Sequence, residues 1–190
     1  MILGSHNSWS YLEPRKWWMK PFRFMARCQD TDIETQYEKY GVRYFDLRIN
    51  FDDDGLIVVH GFMEYKMTPF QLLDSLVWLD YKGDVYVRIV LDSRKKHLDK
   101  RTIEAIFVEM CQDFAKKYPH TRFCCGEDIE TKEVIYPFPA SPTCEECYSS
   151  VQPPKLLDDW YPRLFALLFN KKIRSKGTDK GVLMLDFVNI

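Results

Sequence analysis

Between Tyr40 and Gly61 the chain reads YGVRYFDLRINFDDDGLIVVHG, and no other stretch restricts the fold as tightly. At the strand period of two, Tyr44, Asp46, Arg48 and Asn50 fall on one face and Phe45, Leu47 and Ile49 on the other. Asp52-Asp53-Asp54-Gly55 supplies a tight turn, and residues 56–59 form a second apolar strand closing on His60-Gly61. A carboxylate, a guanidinium and an imidazole are thereby delivered from two neighbouring strands. Such alternation also suits a surface hairpin with a wet face, so the rest of the chain has to decide its use.

The chain of 190 residues is the size of one domain with a substantial core. Its apolar content of 46% and aromatic content of 15% argue against disorder. A net charge of -1 predicts no broad basic face, which excludes duplex nucleic acid as an expected partner. No apolar run is long enough to cross a bilayer, and the sequence opens on its first motif with no signal peptide before Met1-Ile2-Leu3, so either the protein is cytosolic or a leader lies outside this sequence. A cytoplasmic monomer, or one peripheral to a membrane, is expected. Residues 9–27 interleave aromatic and basic side chains without a clean helical period. Trp9, Trp17, Trp18 and Phe22 there suit a membrane interface, or a loop folding its aromatics back onto the domain. Cys124, Cys125, Cys144 and Cys147 together make a zinc ligand set, although the adjacent pair departs from two separated pairs; reduced thiols are the simpler expectation.

Taken in order, residues 1–5 read as a buried strand with His6 just beyond it. Thr31-x-x-Glu34 is a capping box for a helix running to about residue 40. Thr68-Pro69-Phe70-Gln71 repeats that signal for a helix ending near residue 81. A strand over 84–92 follows, with Tyr86, Arg88, Val90 and Asp92 on one face. The longest helix is expected over 98–118, with Ile103, Phe107, Met110 and Phe114 as its buried stripe. Signals weaken between 121 and 154, where 134–138 is a candidate strand. A helix over 159–174 and an apolar strand over 181–189, carrying Asp186, complete the chain. Strands alternating with helices indicate an α/β fold with a mainly parallel sheet, a distorted or incomplete TIM barrel. His6, Asp46 with Arg48, His60, Asp92 and Asp186 all fall at or near C-terminal strand ends, where such barrels build their sites. His97 and His120 read as surface residues.

Two histidines, an arginine and supporting carboxylates can cleave a phosphodiester. One imidazole removes a proton from an attacking hydroxyl, the other protonates the leaving oxygen, and the guanidinium neutralises charge at phosphorus. Gly4-Ser5-His6-Asn7-Ser8, Gln36-Tyr37 followed by Gly41-Val42-Arg43-Tyr44-Phe45-Asp46-Leu47-Arg48, His60-Gly61 and Leu185-Asp186-Phe187 occur in that order. In that set the chain resembles the X domain of phosphatidylinositol-specific phospholipase C, in its bacterial form, from Leu3 to Asn189. The resemblance implies one catalytic domain over 1–190. It implies His6 as general base on the inositol 2-hydroxyl, paired with Asp186, and His60 as general acid toward the diacylglycerol oxygen. Arg48 would contact the phosphate, and Asp46 would support the acid half. Asn7, Arg88 and Asp92 are the expected substrate-binding residues, with Arg88 equally suited to an ion pair with Asp92.

Three departures bear on this. Asn7 stands where the bacterial enzymes have aspartate, and Asp92 where they have lysine, as in the calcium-dependent eukaryotic enzymes. Asn7, Asp46 and Asp92 are therefore an alternative Ca²⁺ ligand set. Arg48 replaces a further carboxylate and its charge opposes the ion, which favours a metal-free site without a cofactor. The chain is also shorter than the bacterial domain, with six or seven strands. A metal-dependent glycerophosphodiester phosphodiesterase and a non-catalytic lipid-binding module on the same fold are the competing expectations.

Overall fold

The computed structural model describes residues 2–94, 98–139, 161–175 and 181–190. Seven strands make one sheet: β1 (Ile2–Ser5), β2 (Tyr44–Asp52), β3 (Gly55–His60), β4 (Met63–Tyr65), β5 (Tyr86–Leu91), β6 (Arg122–Asp128) and β7 (Val182–Leu185). Among the described residues the α-helices are α1 (Arg23–Ala26), α2 (Ile33–Glu38), α3 (Pro69–Lys82), α4 (Lys100–Lys117) and α5 (Pro162–Ser175), with a 3₁₀ helix over Trp17–Phe22.

β2 is the axis. Its first half pairs in parallel with β1, its second half pairs with β3 in the antiparallel hairpin, and β5 runs parallel along its other edge. β1 has four residues and reaches only Tyr44 and Phe45, which leaves the rest of that edge to β3. β7 joins β1 and β6 joins β5 in parallel, while β4 pairs antiparallel with β3. The expected mainly parallel TIM barrel is therefore incorrect. The sheet is mixed, it curls into a half-barrel, and α1 and α2, of four and six residues, are too short for an outer ring. Among the described residues β6 and β7 lie at its ends and do not pair.

Parity separates two faces. Tyr44, Val182, Met184 and Cys124 form a small apolar cluster, distinct from the main core that holds Phe45, Leu47 and Ile49 together with helix residues such as Leu76 and Phe107. Gly4 sits in the small cluster because a Cβ there would come within 3.0 Å of Val182 Cγ1. Continuing the same parity along β1, β2, β5 and β7 puts His6, Asp46, Arg48, Arg88 and Asp186 on the small-cluster side.

Local chemistry explains the helices. α3 has the expected capping box, Thr68 with Gln71, and stops at left-handed Gly83. α2 is capped by Asp32, whose side chain accepts from Thr35 N, rather than by Thr31. α4 buries Ile103, Phe107, Cys111 and Phe114, so Cys111 takes the stripe position expected of Met110. β4 and β6 were not legible, and the expected strand over 134–138 is a single bridge from Val134 to Glu127. Gly126 explains part of this: it turns at φ +72°, and its carbonyl accepts from both Ile135 N and Tyr136 N.

Candidate functional site

Hydroxyl and backbone hydrogen bonds lock the Gly4-Ser5-His6-Asn7-Ser8 segment in place. Ser8 Oγ donates to Ser5 O at 2.9 Å and accepts from Asp46 N at 2.8 Å, and Ser8 N donates to Asp46 O. His6 N donates to Leu185 O, and Gln29 Nε2 donates to both His6 O and Leu185 O. Gln29 thus ties the ends of β1 and β7 together. His6 follows β1 as Asp186 follows β7, so a parallel pair brings together residues 180 apart in sequence.

His6 Nδ1 lies 2.7 Å from Asp186 Oδ1, and Arg48 Nη2 lies 2.5 Å from His6 Nε2. Arginine can only donate, so in neutral His6 the proton sits on Nδ1, facing Asp186, and Nε2 is the acceptor. The His60 ring stands edge-on to His6, centroids 5.3 Å apart and planes at 89°. His60 Nδ1 donates to Ala26 O at 2.9 Å, with Cys28 Sγ 3.7 Å away. Burial, then the positive charge of Arg48 and of His6, pushes the His60 pKa down to about 3. The residue is half-buried by surface area, so one edge still meets solvent.

Behind the histidines runs a buried charge ladder. Asp46 accepts from Arg48 Nε at 2.9 Å, Arg88 Nη1 at 2.8 Å and Asn7 N at 3.0 Å. Burial alone would raise its pKa; Arg48, Arg88 and His6 overturn that and hold the carboxyl well below the usual carboxylate range. Arg88 Nη2 continues to Glu127 Oε1 at 2.8 Å. His60 is not among the hydrogen-bond partners of Asp46, so the expected support of the acid half is replaced by support of Arg48. Arg88 pairs with Asp46 and Glu127 rather than with Asp92.

Asp92 accepts from Gly61 N at 3.2 Å and from Arg94 Nε at 2.7 Å, and Arg94 Nη2 grips it as well. Burial opposes and Arg94 outweighs it, leaving the Asp92 pKa lowered. Two of the three oxygen ligands considered for Ca²⁺ are thus already matched to guanidinium groups, and the set does not fit that ion. The Asn7 amide is fully buried at φ +42°, with neither its Oδ1 nor its Nδ2 hydrogen-bonded to protein.

No family model and no curated protein matches this chain.

Of the residues expected from sequence, His6, Arg48, His60, Asp46 and Asp186 converge. Asn7 and Arg88 adjoin them through Asp46, and Asp92 stands beside Gly61 with Arg94. Cys28, Gln29, Arg94, Glu127 and Asn170 were missed. Asn170, on α5, donates to Asp186 O at 2.7 Å and Phe187 O at 3.2 Å, steadying the loop that carries Asp186. No local pattern marks these residues, since each contacts a segment distant in sequence or a strand end. Trp9 is fully buried against Phe45, which corrects its expected membrane contact, whereas Trp17, Trp18 and Phe22 are 79%, 53% and 50% exposed. Cys124 and Cys125 are buried in β6; Cys144 and Cys147, the other half of the zinc set, lie outside the described residues. No described helix is long and apolar enough to cross a membrane.

Proposed function

We propose that this chain is a phosphodiesterase that cleaves phosphatidylinositol-type lipids without a metal, forming a cyclic inositol phosphate and diacylglycerol. The observation that carries the reading is the pair of imidazoles 5.3 Å apart with Arg48 at His6 Nε2. Asp186 keeps the His6 proton on Nδ1 and aims Nε2 at the reaction. A bound phosphodiester draws the Arg48 donors onto its own oxygens, and the freed Nε2 then takes the proton of the inositol 2-hydroxyl. The hydroxyl oxygen bonds to phosphorus, the bond to the diacylglycerol oxygen breaks, and protonated His60 supplies that oxygen with its proton.

His60 is neutral in the ligand-free protein at pH 7, and the approaching phosphate anion is what favours its protonated form. Arg48 stabilises charge building on the non-bridging oxygens, while Asp46 and Arg88 act as positioning residues that keep its guanidinium in place. The Asn7 side-chain amide is fully buried, and the residue supports the site through its backbone N–H, which donates to Asp46. A rim of exposed Trp17, Trp18 and Phe22 leads into α1, whose Ala26 carbonyl holds His60. That rim suits a lipid–water interface, with the basic side chain of Lys20 exposed beside it.

The test is incubation of the purified protein with phosphatidylinositol, with and without EDTA, followed by phosphorus NMR. The expected result is a cyclic phosphate resonance in both samples. Turnover abolished by EDTA, or release of phosphatidic acid instead, would overturn the proposal.

A further inference from the structure

Cys28 has no part in the chemistry above, yet it sits at its centre. It is fully buried, 3.7 Å from His60 Nδ1, and its carbonyl accepts from Phe187 N, the residue after Asp186. Ser10 Oγ accepts from Cys28 N, so the thiol's backbone is fixed to the same loop that carries His6. One nitrogen of His6, one of His60 and the Cys28 sulfur all lie within 4.8 Å of one another. A tetrahedral Zn²⁺ needs such atoms about 3.3–3.6 Å apart, given bonds of about 2.0–2.3 Å. Side-chain adjustments of about 1 Å close the difference.

We propose that His6, Cys28 and His60 form a binding site for a thiophilic divalent transition metal, Zn²⁺ foremost, that shuts the phosphodiesterase off.

Softness selects the ion: a thiolate with two imidazoles suits Zn²⁺ and Co²⁺ and excludes Ca²⁺ and Mg²⁺. Asp186 on His6 Nδ1 completes a carboxylate–histidine–metal arrangement, which orients the ring and leaves Nε2 to coordinate. Three features oppose binding and set its cost. His60 Nδ1, the ring nitrogen 3.7 Å from Cys28 Sγ, donates its proton to Ala26 O and must give up that bond where it is the ligand atom. Arg48 must leave His6 Nε2, and it retains Asp46 as its anchor when it does. The thiol must also lose its proton to solvent, against burial, and metal coordination drives that loss. Three protein ligands leave a fourth position for water. The binding claim stands on the cluster alone; the inhibitory consequence rests on the proposed function, because the ion occupies both imidazoles that the reaction needs.

The experiment is a Co²⁺ titration of a Cys144→Ser/Cys147→Ser background, which removes the other thiol pair. The expected result is a thiolate-to-cobalt charge-transfer band saturating at one equivalent and displaced by Zn²⁺. Cys28→Ala and the near-isosteric Cys28→Ser, each checked for folding by circular dichroism, lose that band. His60→Ala keeps all thiols and weakens Co²⁺ binding at least about tenfold. In parallel, Zn²⁺ suppresses phosphatidylinositol turnover, and Cys28→Ala needs at least about ten times more Zn²⁺ for the same fractional loss of its own zinc-free rate. No band with the background protein, a band that survives Cys28→Ala, or unchanged affinity in His60→Ala overturns the site. A band behaving as expected in a protein that never turns over the lipid overturns the proposed function and leaves the metal site standing.

Discussion

Replacing Asp46 by Asn tests the charge ladder that holds Arg48. The side chain is fully buried and accepts from Arg48 Nε, Arg88 Nη1 and Asn7 N. An amide of the same shape keeps the volume but leaves two buried guanidinium groups without their shared counter-charge. Removing one partner of a buried ion pair costs about 3–5 kcal/mol. Arg88 retains Glu127, which points to the lower end of that range, about 3 kcal/mol. For a chain of this length each kcal/mol lowers Tm by about 2–4 °C, so thermal unfolding should begin about 6–12 °C earlier. Asp54→Asn is the control, because Asp54 is 83% exposed and its loss should stay within about 0.5 kcal/mol.

The pH dependence follows from the direction of the Asp46 shift. Its folded-state pKa is depressed, so its stabilising contribution is complete above the unfolded value of about 3.9. It declines only as pH falls from there toward the lower folded value. The gap between wild type and Asp46→Asn should therefore be constant from pH 7 to about pH 5 and narrow below about pH 4. A Tm change no larger than that of Asp54→Asn would refute the role assigned to Asp46.

Other consequences are equally specific. Asp186→Asn removes the group that fixes the His6 tautomer, and turnover should fall by about 10³–10⁴ with the circular dichroism spectrum unchanged; a loss under tenfold would contradict the pairing. NMR titration should find His60 neutral down to about pH 4, and Arg48→Gln should raise its pKa, because Arg48 is the second-largest cause of the depression after burial. A His60 midpoint near 6.5 in the wild type would contradict that environment. Trp17→Ala/Trp18→Ala should weaken sedimentation with phosphatidylinositol-containing vesicles by about tenfold while leaving hydrolysis of a soluble inositol phosphodiester unchanged; equal binding would remove the rim from the account.

What could be read from sequence was whatever is encoded locally. Strand alternation placed Asp46 and Arg48 on one face, the Asp-Gly turn marked the hairpin, and Thr68 with Gln71 announced α3. His6 and Asp186 could each be put at a strand end, but their contact depends on β1 pairing with β7 across nearly the whole chain. Sheet closure is likewise non-local, which is why the barrel expected from alternating elements gives way to a mixed half-barrel. β6 hid because its register shifts against β5 between Ile89 and Val90 and Gly126 interrupts its alternation. Trp9 illustrates the same limit: its neighbours Trp17 and Trp18 are exposed, and only packing against Phe45 distinguishes it.

The most direct measurement is the initial rate of cyclic inositol phosphate formation in His6→Ala, His60→Ala and the double variant. On the proposed function the two imidazoles act on one phosphate and form a unit, so each single variant should lose nearly all activity and the double should be no slower than the worse single. Losses that multiply in the double variant, or a wild-type rate in either single, would contradict a shared site.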